Sequence, residues 1–185
     1  SMAFYKCKTL ESIVIPDHIK SIGTNAFSEC SALASVSLPN TITYLNSSLF
    51  SNCTALRTFT IPDNITSIYG SVFESCSSLS EINIPSSVTS IGKYAFRYCN
   101  SLKSITIPNS ITQLRSSMFM QCLSLTTIMM HSGITQIQGT VMSNCYSLKA
   151  LTIPDSVTLI GTSAFDVCCG IKSVVIPSGI TSIKS

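Results

Sequence analysis

The chain is poor in charge. Asp, Glu, Lys and Arg make up only 10% of its 185 residues, and the formal net charge is +3. A nucleic-acid binder needs a dense basic face, and none is present. Lys6 with Lys8, and Lys93 with Arg97 and Lys103, form loose groups that read as solvated surface. Tryptophan is absent, and there are only two histidines, His18 and His131, in different parts of the chain. No apolar run approaches the ~18 residues that cross a bilayer. The opening residues lack the charged stretch and apolar run of a secretory leader. Paired C-x-x-C metal motifs and phosphate-cradling glycine loops are missing as well. Serine is plentiful, but no base and orienting acid stand with it at a fixed spacing, so nucleophilic catalysis has no candidate. These absences predict a protein with no catalytic residues, no cofactor and no metal.

What is present is spaced with regularity. Hydrophobic residues are 45% of the chain, and Ser plus Thr supply 53 positions. That much Ile, Leu, Val and Phe excludes disorder. Eight cysteines recur every 23 residues: Cys7, Cys30, Cys53, Cys76, Cys99, Cys122, Cys145 and Cys168. A fixed period of this length marks a solenoid, in which each turn puts the same residue in the same slot. Aligned at that period, the units share L-x-x-I-x-I-P-x-x-V-x-x-I-G-x-x-A-F-x-x-C.

Each part of the unit has a physical reading. The alternation in Ile82-Asn83-Ile84 and Ile105-Thr106-Ile107 predicts a short strand with one buried face. Proline follows at 16, 39, 62, 85, 108, 154 and 177 and ends the strand, because it has no N–H to donate. A second apolar segment, such as Val88 to Gly92, comes next. Gly23, Gly92 and Gly161 close it, which predicts backbone that favours glycine. The small-large pair Ala-Phe predicts a helical turn packed on the sheet. The phenylalanines form a ladder at 4, 27, 50, 73, 96, 119 and 165, with Met142 replacing Phe once. That same unit has His131 where Pro is expected and is the most irregular of the array. The cysteines are read as free thiols filling small apolar slots, with Cys169, outside the ladder, as the exposed one.

The I-P, S-I-G and A-F-x-x-C signatures at 23-residue spacing resemble the BspA-like leucine-rich repeats. The resemblance covers the whole chain. It implies a leucine-rich repeat arc with a parallel β-sheet on the concave face and short strands and turns on the convex side. It also implies a role in adhesion to host proteins and other cells. The chain is expected to be a single array over residues 1–185, of about eight units, cut from a longer protein, since it starts and stops within a repeat. One column departs from many such repeats. It reads His18, Thr41, Asn64, Ser87, Ser110, Gly133, Ser156 and Gly179, so a continuous asparagine ladder is not expected.

Strand side chains facing away from the core define the candidate binding face: Ser35, Ser37, Thr58, Thr60, Glu81, Asn83, Ser104, Thr106, Thr127, Met129 and Thr152, with Lys103 beside them. Glu11, Arg57, Lys149 and Lys172 share the column of Lys103. The expected partner is a protein, either a host-matrix or a cell-surface one. Nucleic acid and membrane insertion are not expected. Exposed Phe and Ile edges at the two open ends predict end-to-end association. The expected location is the cell surface or the secreted space. The alternative is a cytoplasmic scaffold, which nine free cysteines would suit. N-x-S/T sequons stand at Asn46, Asn52 and Asn64, with Asn52 expected to lie too close to the core for a glycan.

Overall fold

The computed structural model describes residues 2–183; Ser1, Lys184 and Ser185, the outermost positions of the two open ends, lie outside the described residues. Twelve short strands follow one another: β1 (Ser12–Val14), β2 (Ser35–Ser37), β3 (Tyr44–Leu45), β4 (Thr58–Thr60), β5 (Ser67–Ile68), β6 (Glu81–Asn83), β7 (Ser90–Ile91), β8 (Ser104–Thr106), β9 (Gln113–Leu114), β10 (Thr127–Met129), β11 (Gln136–Ile137) and β12 (Leu159–Ile160). All pairing is parallel and joins residues 23 apart, such as Ile105 with Ile128. A parallel neighbour at each repeat is what a solenoid requires. The three-residue strands form the concave face, laddered in the pairs β1–β2, β4–β6 and β8–β10. The two-residue strands form a second parallel stack from the segment after proline.

The strand column thins towards the C-terminus. After β10 it continues through one bridge, Thr127 to Ala150, and residues 172–176 carry no strand. Val174, Val175 and Ile176 are exposed there.

The core consists of identical slots stacked. The rings of Phe4, Phe27, Phe50, Phe73, Phe96 and Phe119 stack with centroids 5.2 to 5.9 Å apart. Paired strands lie only ~4.8 Å apart. The turns therefore splay on the Phe side, and the strand side is the inside of the arc. Met142 occupies the Phe slot of its turn and is fully buried there.

No helix forms at the Ala-Phe pair, contrary to the sequence expectation. The Ala N–H closes one tight turn within its own segment, as Ala26 N does to Gly23 O at 3.2 Å. The Phe N–H donates across to the next turn, as Phe73 N does to Ala95 O at 2.9 Å and Phe96 N to Met118 O at 3.0 Å, so no helical ladder continues. Two residues per turn also sit in the left-handed region, for example Tyr94 (φ 63°) and Tyr98 (φ 61°), or Asn25 (φ 57°) and Glu29 (φ 61°). A residue of that hand interrupts an α-helix.

The glycine expectation changes too. No described glycine has positive φ. A Cβ on Gly92 would lie 2.5 Å from the backbone N of Gly70, and one on Gly161 would lie 2.4 Å from that of Gly139. Glycine stands there because two backbones approach, and the Gly70–Gly92 and Gly139–Gly161 junctions recur three turns apart.

Candidate functional site: the concave face

The strand period of two sends alternate side chains to opposite faces. Ile82, Ile105 and Ile128 point inward, while their neighbours emerge on the concave side. All twelve residues named from the sequence are exposed: Ser35, Ser37, Thr58, Thr60, Glu81, Asn83, Lys103, Ser104, Thr106, Thr127, Met129 and Thr152. Six of them meet in one place. Thr58, Thr60, Glu81, Asn83, Ser104 and Thr106 line a shallow hollow of about 340 Å³ floored by Phe59, Ile82 and Ile105. It lies over β4, β6 and β8, where the ladder between β6 and β8 is open. Ser37 and Thr60 belong to a second hollow beside Asn40 and Asp63. Thr152 lies in a third with Lys149 and Ser173. Met129 approaches Thr106, with its sulfur 4.0 Å from the hydroxyl. Ser35 stands on β2, away from the central hollow.

The face offers hydroxyls, one amide and one carboxylate over an apolar floor. It can donate and accept hydrogen bonds along its length. Among the described residues, no group of three or more His, Cys, Asp or Glu is placed to hold a metal ion. No helix there is long and apolar enough to cross a membrane.

The cysteines serve the frame. All nine are free thiols. Each ladder thiol from Cys30 to Cys168 donates to the carbonyl of the Phe-slot residue one turn back, as Cys99 Sγ does to Phe73 O at 3.2 Å. Burial pushes the thiols of Cys53 and Cys145 up to about 12, and adjacent cysteines of the ladder add to the effect. Such thiols stay protonated and unreactive. Cys169 alone is exposed.

Three features escaped sequence reading. The column lacking an asparagine ladder still forms a ladder, of mixed chemistry. Side chains of Thr41, Asn64, Ser87, Ser110 and Ser156 each donate to a carbonyl of the preceding turn: Ile19, Ile42, Ile65, Val88 and Ile134. Where Gly133 leaves a gap, His131 Nε2 reaches Ile111 O at 2.9 Å. Second, Arg97 is not part of a free basic group. It pairs with Glu74 at 3.3 Å, donates to the Tyr98 hydroxyl at 2.7 Å and lies over the Tyr94 and Tyr98 rings. Third, Asn52 is not held close to the core. Asn46 and Asn64 donate their amide nitrogens to the carbonyls of Ile22 and Ile42, while Asn52 is exposed on a left-handed corner and donates to the hydroxyl of its neighbour Ser51 at 3.1 Å. The left-handed backbone turns Asn52 outward although its neighbour Cys53 is buried.

Known proteins share this architecture. The family model of the BspA type leucine rich repeat region matches in six copies, over residues 1–90 and 71–185. The chain belongs to that family. A leucine-rich repeat protein from Bacteroides ovatus is 30% identical and superposes with a TM-score of 0.76, covering 90% of this chain and 49% of its own. A leucine rich cell surface protein from Faecalibacterium prausnitzii is 28% identical, with a TM-score of 0.64, over 94% of this chain and 62% of its own. The leucine-rich repeat protein of T. pallidum is 27% identical, with a TM-score of 0.79, over 87% and 78%. The chain thus spans about half the length of the first of these and under two thirds of the second. No curated protein matches it. The matched family is a repeat scaffold of the kind that mediates protein interactions, and no catalytic family is indicated.

Proposed function

We propose that this chain is a non-catalytic protein-binding array of a microbial surface protein, which adheres to a host-matrix or cell-surface protein through its concave face. The central hollow carries this reading. Six exposed polar side chains converge over an apolar floor at the middle of the arc. A hydroxyl-rich surface of low charge makes many modest contacts, and an array adds them through effective concentration. The cell-surface description of the Faecalibacterium relative supports the location. The array is proposed to be one stretch of a longer protein.

Buried thiols also bear on the alternative of a cytoplasmic scaffold. Free cysteines suit a reducing compartment. Here seven of the nine donate to backbone carbonyls, and the six from Cys30 to Cys145 are buried, so these persist as thiols in an oxidising space as well. The buried thiols are therefore compatible with the surface reading.

The test is binding of the purified chain to immobilised extracellular matrix, read by surface plasmon resonance. Lys103→Ala, Ser104→Ala and Thr106→Ala together are expected to weaken binding by ~10-fold or more, given ~0.5–1.5 kcal/mol per lost hydrogen bond. An unchanged affinity with an unchanged melting curve refutes the concave face. Antibody labelling of intact cells against permeabilised ones decides the location. Light scattering over a concentration series tests the proposed end-to-end association, for which Phe4 and Ile183 are exposed.

A further inference from the structure

Four of the chain's eleven basic residues share one column, at the N-terminal rim of the concave face: Arg57, Lys103, Lys149 and Lys172. All four are exposed. The ion pairs among the described residues are Lys6–Glu29 and Arg97–Glu74, so the rim cations have no acidic partner in the fold. Arg57, Lys103 and Lys149 stand on every second turn. The turns between them carry Ser80 with Glu81, and Thr126. Lys172, one turn after Lys149, falls outside the alternation. At ~4.8 Å per strand, the three alternating cations repeat every ~9.6 Å, and slightly less at their tips on the inside of the arc.

That repeat selects a backbone. A β-strand presents side chains on one face every ~6.7 Å. An α-helix returns to one face after seven residues, at ~10.5 Å. A polyproline II helix returns every third residue, at ~9.3 Å, and its carbonyls have no internal partner. The last comes nearest to the cation spacing, and the exposed hydroxyls of Thr58 and Ser104, next in the chain to Arg57 and Lys103, offer donors to such carbonyls. Glu81, between Arg57 and Lys103, repels a carboxylate placed at the intermediate turn.

Resting on the concave-face reading above, we propose that the occupant is a polyproline II-type segment of a partner protein with a carboxylate at every third residue. It lies along the array axis, with its carboxylates on Arg57, Lys103 and Lys149. Pre-extended segments of this kind lose little conformational entropy on docking. No bond is made or broken.

The experiment uses fluorescent peptides of repeated Pro-Pro-Glu and of repeated Pro-Pro-Pro-Glu with equal numbers of glutamates, titrated with the whole chain by anisotropy. The three-residue spacing is expected to bind about tenfold tighter than the four-residue spacing. Arg57→Gln, Lys103→Gln and Lys149→Gln together should remove that preference, while Lys6→Gln, Lys8→Gln and Lys20→Gln together should leave it. Equal binding of the two peptides overturns the proposal, because bulk charge would then explain it. Binding of a sulfated glycan that the rim variant loses, without peptide discrimination, overturns it in favour of a polyanion. If neither peptide binds but the Lys103/Ser104/Thr106 variant still loses the matrix, the periodic-carboxylate proposal fails and the concave face stands. If that variant also keeps the matrix, both fail.

Discussion

The turn through Pro85, Phe96 and Cys99 follows the repeat pattern, whereas the turn that ends at Cys145 departs from it at several slots, among them those of His131, Gly133 and Met142. Both nevertheless close on equivalent bonds. Val88 N donates to Pro85 O at 3.1 Å, and Ile134 N to His131 O at 3.2 Å. Ser87 Oγ donates to Ile65 O at 2.8 Å, and His131 Nε2 lies 2.9 Å from Ile111 O. The Phe and Met slots are both fully buried, and both thiols donate over 3.2 Å. Each slot of the solenoid thus specifies a volume and a hydrogen-bond valence, and residue type is free so long as both are met.

The thiol slot gives the largest expected effect. Seven ladder thiols have folded pKa values raised above the ordinary 9.0, chiefly by burial. Below pH ~9 they are neutral in both folded and unfolded chains, and their contribution to stability is fully present. Between pH ~9 and 12 the unfolded chain releases protons that the buried thiols from Cys53 to Cys145 keep in the fold. Stability then falls with rising pH, by up to ~1.4 kcal/mol per unit for each of these buried thiols, and the contribution is gone once pH passes the folded values. The urea midpoint is expected to drop steadily from pH 9 upward. Cys99→Ala and Cys145→Ala should reduce the slope by the same amount if the two turns are equivalent. A slope that only one of them changes breaks the comparison.

The large apolar slot comes next. Phe96→Ala is expected to cost ~3–5 kcal/mol and Met142→Ala ~2–5 kcal/mol, measured by urea denaturation. Phe96 is flanked by Phe73 and Phe119 at 5.6 Å on each side, a stack that Met142 does not continue. Met142→Phe therefore sharpens the comparison. A gain in stability would show that Met underfills its slot, and a loss would show that this turn has repacked around sulfur.

These expectations rest on what was legible in the sequence. The period, the strands at Ile82 and Ile105, the Phe and Cys ladders and the outward columns all follow from spacing, because one turn repeats the environment of the last. What was not legible depends on backbone geometry between turns. Asn25, Ser48, Tyr94 and Gln121 occupy left-handed corners without a shared residue type, so no signature announced that a helix would be broken. Gly92 and Gly161 read as conformational glycines because the opposing backbone at Gly70 and Gly139 is invisible in one repeat alone. The concave columns were legible for the same reason as the core. The convergence of six of them on one hollow was not, because it follows from the open ladder between β6 and β8.

His131 and Gly133 give the smallest and most discriminating effect. Gly133 N donates to His131 Nδ1 at 3.0 Å, so Nε2 carries the proton and donates to Ile111 O. A Cβ on Gly133 would lie 2.8 Å from the imidazole Cε1 and 2.9 Å from Nδ1. The two departures are therefore one device: the histidine supplies the missing donor, and the glycine makes room for its ring. His131→Pro alone leaves the Ile111 carbonyl unpaired and is expected to cost ~1–3 kcal/mol. Gly133→Ser alone forces the ring aside and is expected to cost a similar ~1–3 kcal/mol. The double variant restores the proline and the hydroxyl of the regular turn, so the introduced serine hydroxyl replaces the imidazole as donor and the clash is gone. Its stability should return to within ~0.5 kcal/mol of the starting chain, a coupling of opposite sign to both single changes. Additive losses in the double variant would show that this turn holds its shape by some means other than the valence of the slot.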